Sequence, residues 1–320
     1  MSRPRLGVVL TELGLVSEIW ALRQAQAFET FEPVFFGWSA QAGGWHEASG
    51  IETRFFDTPF ARPVTPLVRL GWRLGAPGAI LPPRAWRRDV AETLRGARLD
   101  GVLCHFAWNA IPVAEALRAE KIPLAAQVHG RDVSMFLRNR AYRAALRRTL
   151  PRLRFVAAVG GFQIETLRPF GLPAAHAVIP CGAPLEKFAA RPLPERAEGE
   201  ALRLISVGRL SEEKGVRETL EAARRVAARM PVAWTCIGGG PLAEALTGEA
   251  EAAEREAGGR LSVRLTGPLP PEQVAEALAR SHVFTQHSRP AQGWIEGFGG
   301  SLTEAGAAGL PLVASRLGGI

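Results

Sequence analysis

Two α/β units, each a doubly wound parallel sheet, are the fold this sequence predicts. Three observations carry that expectation. Short apolar runs alternate with longer amphipathic ones along the whole chain, the pattern of βαβ units. The 320 residues suffice for two separate cores. Between the halves lies Arg191-Pro-Leu-Pro-Glu-Arg-Ala-Glu-Gly-Glu200, a polar, proline-bearing stretch suited to a linker. The expected organisation is a first domain over 1–185, a linker over 186–200 and a second domain over 201–320.

In chain order, strands are expected at 6–10, 34–37, 51–56, 101–105, 123–128, 155–159 and 175–179. Helices are expected among them at 16–28, 110–119 and 141–150. The second half repeats the style, with strands at 202–207, 232–237, 262–265, 282–285 and 312–315. Its helices are placed at 216–230, 241–256, 271–279 and 302–308. Each strand is a brief run rich in branched or aromatic residues; each helix carries apolar residues at three- and four-residue spacing.

The apolar fraction of 47% and charged fraction of 22% are those of an ordinary globular protein. Cys104, Cys181 and Cys236 are widely separated and form no CxxC, which argues against a disulfide framework or zinc site and fits a reducing cytosol. The apolar run at 6–10 is too short for a signal-peptide core, and no run elsewhere would span a bilayer. A cytoplasmic protein is expected, with peripheral membrane attachment an option. The net charge of +8 is uneven: residues 1–185 hold 23 Lys and Arg against 14 Asp and Glu, and residues 186–320 hold 16 against 17. The basic half suggests an anionic partner: a phospholipid surface, a lipid-diphosphate acceptor or nucleic acid would each qualify. Its densest segments are 69–98, which includes Trp72 and Trp86, and 138–154. Such arginine–tryptophan mixtures suit an interface, and a solvated arginine face is the competing reading.

Doubly wound sheets bind ligands beyond the carboxyl ends of their strands. Motifs do stand at those places. After the first strand, Gly14 can form a tight turn, but no GxGxxG follows, which disfavours a nicotinamide-dependent dehydrogenase. His129-Gly-Arg-Asp132 follows another strand, as a site or as a turn with a satisfied histidine. Gly208-Arg209 and Lys214-Gly215 follow the strand at 202–207, where a forked guanidinium and a compact ammonium could converge on a pyrophosphate. Only Lys121 and Lys187 accompany Lys214 as lysines in a chain that otherwise uses arginine. Gly238-Gly-Gly-Pro241 would let a nucleotide approach the backbone, or merely make a flexible turn. Glu296-Gly-Phe-Gly-Gly-Ser-Leu-Thr-Glu304 ends the set. Ser301 and Glu304 read as a capping box opening a helix, and a helix start suits a diphosphate. Glu296 either hydrogen-bonds a polyhydroxylated ligand or is a solvated loop acid.

In this order, with Ile179-Pro-Cys-Gly182, Phe188 and Gly309-Leu-Pro-Leu-Val-Ala314 added, the motifs resemble glycosyltransferase family 4. This is a large retaining family with the GT-B fold, in which two Rossmann-like domains face a central cleft. Cys104-His105-Phe106 and Ser17-Glu18-Ile19-Trp20 resemble the branch that builds exopolysaccharides and lipopolysaccharides. The resemblance implies transfer of a hexosyl unit from a nucleotide-diphosphate sugar to a lipid-linked or oligosaccharide acceptor, with no nucleic acid involved. It assigns Arg209 and Lys214 to the donor diphosphate, Glu304 to the ribose and Glu296 to the sugar hydroxyls. His129 would stand near the reacting centre. Gly299, Gly300 and Ser301 would give backbone N–H groups, Gly208 and Gly239 would lie against the donor, and Gly14 would leave room for substrates. Cations and a helix dipole are expected to replace a metal, so no cofactor is implied. Cys181 stands where the family often has Asn, and Gly300 where it has a larger residue. The family continues beyond the position where Ile320 ends this chain, so a second domain lacking its final elements is expected. The rival readings are a sugar-nucleotide epimerase of the same fold and an inactive nucleotide-sugar-binding fragment.

Overall fold

The computed structural model describes residues 2–57, 84–183, 185–188, 192 and 194–320. They form two units dividing between Cys181 and Gly182.

The first unit is built on a seven-stranded parallel sheet: β1 (Arg5–Val9), β3 (Glu32–Gly37), β5 (Thr53–Phe55), β6 (Gly101–His105), β7 (Leu124–Val128), β8 (Phe155–Ala158) and β9 (His176–Val178). Its order is β5-β3-β1-β6-β7-β8-β9. Register follows the period-two pattern of the strands. Val8 and Phe35 are paired and face α1 (Ile19–Gln26), packing with Ala21, Leu22 and Ala25. The alternate residues Val9, Val34 and Phe36 enter a larger core with α2 (Arg84–Gly96), α3 (Ala107–Ala116) and α4 (Arg140–Thr149). A short parallel pair, β2 (Glu12–Leu13) with β4 (Ser39–Ala40), ties the loop after β1 to the loop after β3.

The second unit has a five-stranded parallel sheet: β10 (Leu202–Val207), β11 (Val232–Ile237), β12 (Leu261–Leu265), β13 (Val283–Gln286) and β14 (Leu312–Ala314), in the order β12-β11-β10-β13-β14. Alternate residues again serve two layers. Leu204, Trp234 and Cys236 pack with α6 (Val216–Ala227) and α7 (Ala243–Glu256). Ile205, Ile237 and Phe284 pack with α8 (Pro271–Ala279) and α9 (Gly300–Ala307), so the central strands are covered on both faces, while the edge strand β14 stays exposed. A further helix, α5 (Gly161–Leu167), belongs to the first unit.

Each expected strand and helix lies within a few residues of its range, and α2 and α5 are helices the sequence reading did not place. Two features differ. Helix α2 falls in the basic segment 69–98 read as an interface, yet Trp86 is buried and stacks on Trp38 with ring planes 9° apart. Its indole fills the core beside Val90 and Leu94, spaced one helical turn apart, so the apolar period wins over the arginines between. Trp72 and the rest of 69–83 lie outside the described residues. Phe188, in the stretch expected as a linker, is 3% exposed and packs into the second unit's core.

Candidate active site

In each sheet the strand order reverses beside the first strand of the unit: β1 lies between β3 and β6, and β10 between β11 and β13. Such switch points leave a crevice between diverging loops. In the second unit those loops are 208–215 and 287–299, and they carry Arg209, Lys214 and Glu296. A pocket there is lined by Ser206, Gly208, Arg209, Lys214, Thr285 and Gln286, among others.

The loop after β10 turns sharply because of one glycine. Residues Glu212–Lys214 form a 3-10 turn closed by Gly215 in the left-handed region, φ 59°. A β-carbon on Gly215 would sit 1.8 Å from the carbonyl oxygen of His287, so only glycine lets this turn meet the end of β13. Arg289 and Arg217 clamp the turn from outside through Glu212, with contacts of 2.7 Å each. Exposed pairs of this kind are individually weak, but here they share one carboxylate.

Lys214 thereby reaches Glu296. Its Nζ donates to Glu296 Oε2 at 2.6 Å and lies 5.3 Å from the centre of the Trp294 ring. Glu296 is 6% exposed; Oε2 also accepts from Gln286 Nε2 at 3.1 Å and Ser288 Oγ at 2.9 Å. The reading of Glu296 as a solvated loop acid is therefore overturned: it is a buried carboxylate held by three donors. Arg209 lines the same pocket as Lys214 but bonds elsewhere: its half-exposed guanidinium pairs with Glu213 at 2.9 Å.

The opening of α9 corrects another expectation. Its N-cap is Gly299, at φ 72°, with no side-chain cap. Ser301 sits inside the helix and donates to Gln286 Oε1 at 2.9 Å, so Ser301 and Glu304 do not form a capping box. The hydroxyl has a buried amide to satisfy and turns to it instead. Gln286 thus connects Glu296 to the start of α9, and a β-carbon on Gly300 would meet open space. Neither Gln286 nor Ser288 was singled out from the sequence; nothing there marks a polar pair at the end of an apolar strand.

The glycine turn after β11 serves packing. A β-carbon on Gly238 (φ 138°) would lie 1.9 Å from the Gly208 carbonyl oxygen, and Leu210 N–H donates to Gly239 O at 2.9 Å. The close approach at Gly238 is therefore made by the chain's own loop. Gly208 is open on its free side, and Gly239 makes only ordinary contact with Pro268.

In the first unit, the switch-point loops hold Gly14 and His129. Gly14 (φ 88°) does not leave empty room beside it: a β-carbon would be 2.8 Å from Gly44 Cα and from His46 Nδ1. His129 is buried at the end of β7, its ring 4.4 Å from Trp20 and 4.5 Å from Phe106. Its Nδ1 lies 3.7 Å from Cys181 Sγ, while Nε2 has no partner among the described residues. Asp132 accepts from the backbone N–H of His129 and of Ala107, both at 3.0 Å, binding this turn to the start of α3. Burial pushes the Asp132 carboxyl up to about 6 against the pull of those N–H groups. Burial also holds His129 well below the ordinary histidine range, helped by the neighbouring His105, and lowers His105 to about 3.

His105 is thus neutral when folded and titrates near 6.5 when unfolded. The unfolded state binds the extra proton, so the stability it confers is whole above pH 6.5 and declines as pH falls towards 3. We expect the melting temperature to drop between pH 7 and pH 5, and His105→Phe to reduce that drop. An unchanged drop would show that His105 is not buried neutral.

Two family models account for most of the chain. Residues 42–187 match Glycosyltransferase Family 4, and residues 194–320 match Glycosyl transferases group 1. The amylovoran biosynthesis glycosyltransferase of Erwinia amylovora is 32% identical over 248 residues, 72% of this chain and 56% of that protein. The GDP-mannose-dependent alpha-(1-6)-phosphatidylinositol monomannoside mannosyltransferase of Mycolicibacterium smegmatis is 30% identical over 218 residues, 65% of this chain and 55% of that protein. The chain therefore spans about half the length of these relatives. Among solved structures, Anabaena HepE in complex with UDP superposes with a TM-score of 0.72 at 17% identity, covering 99% of this chain and 81% of that one. The lipopolysaccharide outer core galactosyltransferase WaaB gives 0.70 at 16%, covering 97% and 80%. This chain belongs to the family 4 glycosyltransferases and has the GT-B fold, with two Rossmann-like units.

Proposed function

We propose that the protein is a retaining glycosyltransferase. It moves a hexosyl unit from a nucleotide-diphosphate sugar to a lipid-linked or oligosaccharide acceptor in cell-envelope glycan assembly. The observation that carries the reading is the second switch point. There Arg209 and Lys214 line a single pocket, and hydrogen bonds link Lys214 to Glu296 and the pocket's Gln286 to Ser301 at the start of α9. A helix start leaves N–H groups without intrahelical partners, and with two cations beside it suits a diphosphate. In this role Lys214 exchanges Glu296 for a phosphate oxygen, and Arg209 supplies a second cation from the pocket wall. Gly208, Gly239, Gly299 and Gly300 border the donor, Ser301 gives its N–H, Glu304 takes the ribose and Glu296 the sugar hydroxyls. His129 serves the reacting end of the sugar, with Gly14 in the loop beside it. The leaving diphosphate is stabilised by these fixed charges and dipoles, with no metal or other cofactor assigned.

The acceptor end fits an anionic membrane surface. Helix α4 carries Arg140, Arg147 and Arg148 exposed and has no acidic residue. No helix among the described residues is long and apolar enough to cross a membrane. The reading places the protein on the cytoplasmic side, attached peripherally. Titration calorimetry with UDP, GDP and their hexose derivatives tests the donor assignment. One nucleotide series should bind, and Arg209→Ala should weaken it at least about tenfold, the scale of one lost charge-assisted contact. Binding of neither series would overturn the proposal.

A further inference from the structure

Both cations that line the second unit's pocket are already paired with carboxylates of the chain itself. Lys214 is held by Glu296 at 2.6 Å and Arg209 by Glu213 at 2.9 Å. The two pairs differ in what is left behind when the cation turns away. Glu296 keeps the hydrogen bonds donated by Gln286 and Ser288. Glu213 keeps none, because among the described residues Arg209 is its only side-chain partner. An anion that takes Lys214 therefore leaves a satisfied carboxylate, and one that takes Arg209 leaves a bare one.

Glu213 is also the anchored end of its pair. It stands in the middle of the 3-10 turn Glu212–Lys214, and its carbonyl accepts from the Arg289 N–H at 3.0 Å. Its side chain is 19% exposed against 54% for Arg209. The other guanidiniums at this turn are taken up elsewhere. Arg289 pairs with Glu212 and Glu218, and Arg217 with Glu212 and Glu249. The carboxylate thus stays where the stapled turn puts it, and the guanidinium is the end free to move to a ligand. A carboxylate and a phosphate offer the same forked group equivalent oxygen pairs, so they compete for it. Any anion bound by Arg209 must displace Glu213, and Glu213 draws Arg209 back as that anion leaves.

We propose that Glu213 is a release residue: it competes with the diphosphate for Arg209 and speeds departure of the nucleoside diphosphate left after transfer. This deepens the glycosyltransferase reading and rests on it. Glu213 touches no substrate in this role; it positions Arg209. Such a residue bears on turnover because product release, not chemistry, is the slow step of many enzymes. The test is titration calorimetry of the full chain with UDP and with GDP, followed by stopped-flow displacement of the one that binds. Glu213→Gln keeps the shape of the side chain and removes its charge. It should tighten the nucleoside diphosphate about two- to fivefold, the worth of one partly exposed ion pair, and slow its dissociation by the same factor. The effect runs through one partner, so in an Arg209→Ala background the same substitution should no longer tighten binding. Equal tightening in both backgrounds would show only the general field of a lost negative charge and would overturn the proposal. Unchanged or weaker binding by Glu213→Gln alone would overturn it too. Failure of the glycosyltransferase reading is distinct, because then neither nucleotide binds the unsubstituted chain.

Discussion

Lys214→Ala is expected to lower sugar transfer by about a hundred- to a thousand-fold, the range for removing one group that stabilises developing charge. It should also destabilise the second unit. The substitution leaves Glu296 buried with two neutral donors and no cation, and breaking a buried pair costs about 3–5 kcal/mol when both partners are fully enclosed. The Lys214 side chain retains 20% exposure against 8% for the Glu296 side chain, so about 2–3 kcal/mol is the expected loss here. The two effects separate in a second variant. Lys214→Met with Glu296→Gln removes the orphaned charge and should recover most of the stability by urea denaturation, with transfer still absent. If the double variant were as unstable as Lys214→Ala, the pair would not be coupled. If Lys214→Ala turned over normally, the diphosphate role would be lost.

Gly215→Ala should be among the most damaging small substitutions at the described residues. The added carbon must enter a space 1.8 Å from His287 O, at a φ of 59° that alanine also disfavours. Relief requires moving either β13 or the start of α6, and a loss above about 4 kcal/mol, or insoluble protein, is expected. Gly300→Ala provides the contrast. Nothing lies within 4 Å of its β-carbon position and it sits in α9, where alanine is the better helix former by about 0.5–1 kcal/mol. That variant should melt at or above the temperature of the unsubstituted chain. Comparable melting temperatures for the two alanine variants would show that the contact at His287 is not tight.

The sheets were legible from sequence because parallel strands are brief, buried on both faces and separated by helices of regular period. β6, β10 and β11 occupy the ranges expected, 101–105, 202–207 and 232–237. Helix α2 escaped notice because arginines interleave its apolar residues, and only the partner ring of Trp38 shows which way Trp86 turns. At the site, the positions of Arg209, Lys214 and Glu296 after strands could be read locally. The bond between Lys214 and Glu296 could not, since 82 residues separate them and only the adjacency of β10 and β13 brings them together. Ser301 illustrates the same limit. Its spacing to Glu304 satisfies a local rule, but a buried amide fifteen positions earlier captures its hydroxyl.

The interlocked turns around β10 and β11 bear on how variation in this protein would be scored. Gly215 and Gly238 face neighbouring carbonyls, so replacements there remove folded protein from a library before any chemistry is sampled. Arg209 lies on the surface with one salt bridge, and its replacements should survive a selection for abundance while failing one for product. Comparing the two selections position by position would sort scaffold from chemistry at adjacent places in the same loop. Intolerance to substitution at Gly238 would then mark a joint between two turns, not a contact with a nucleotide.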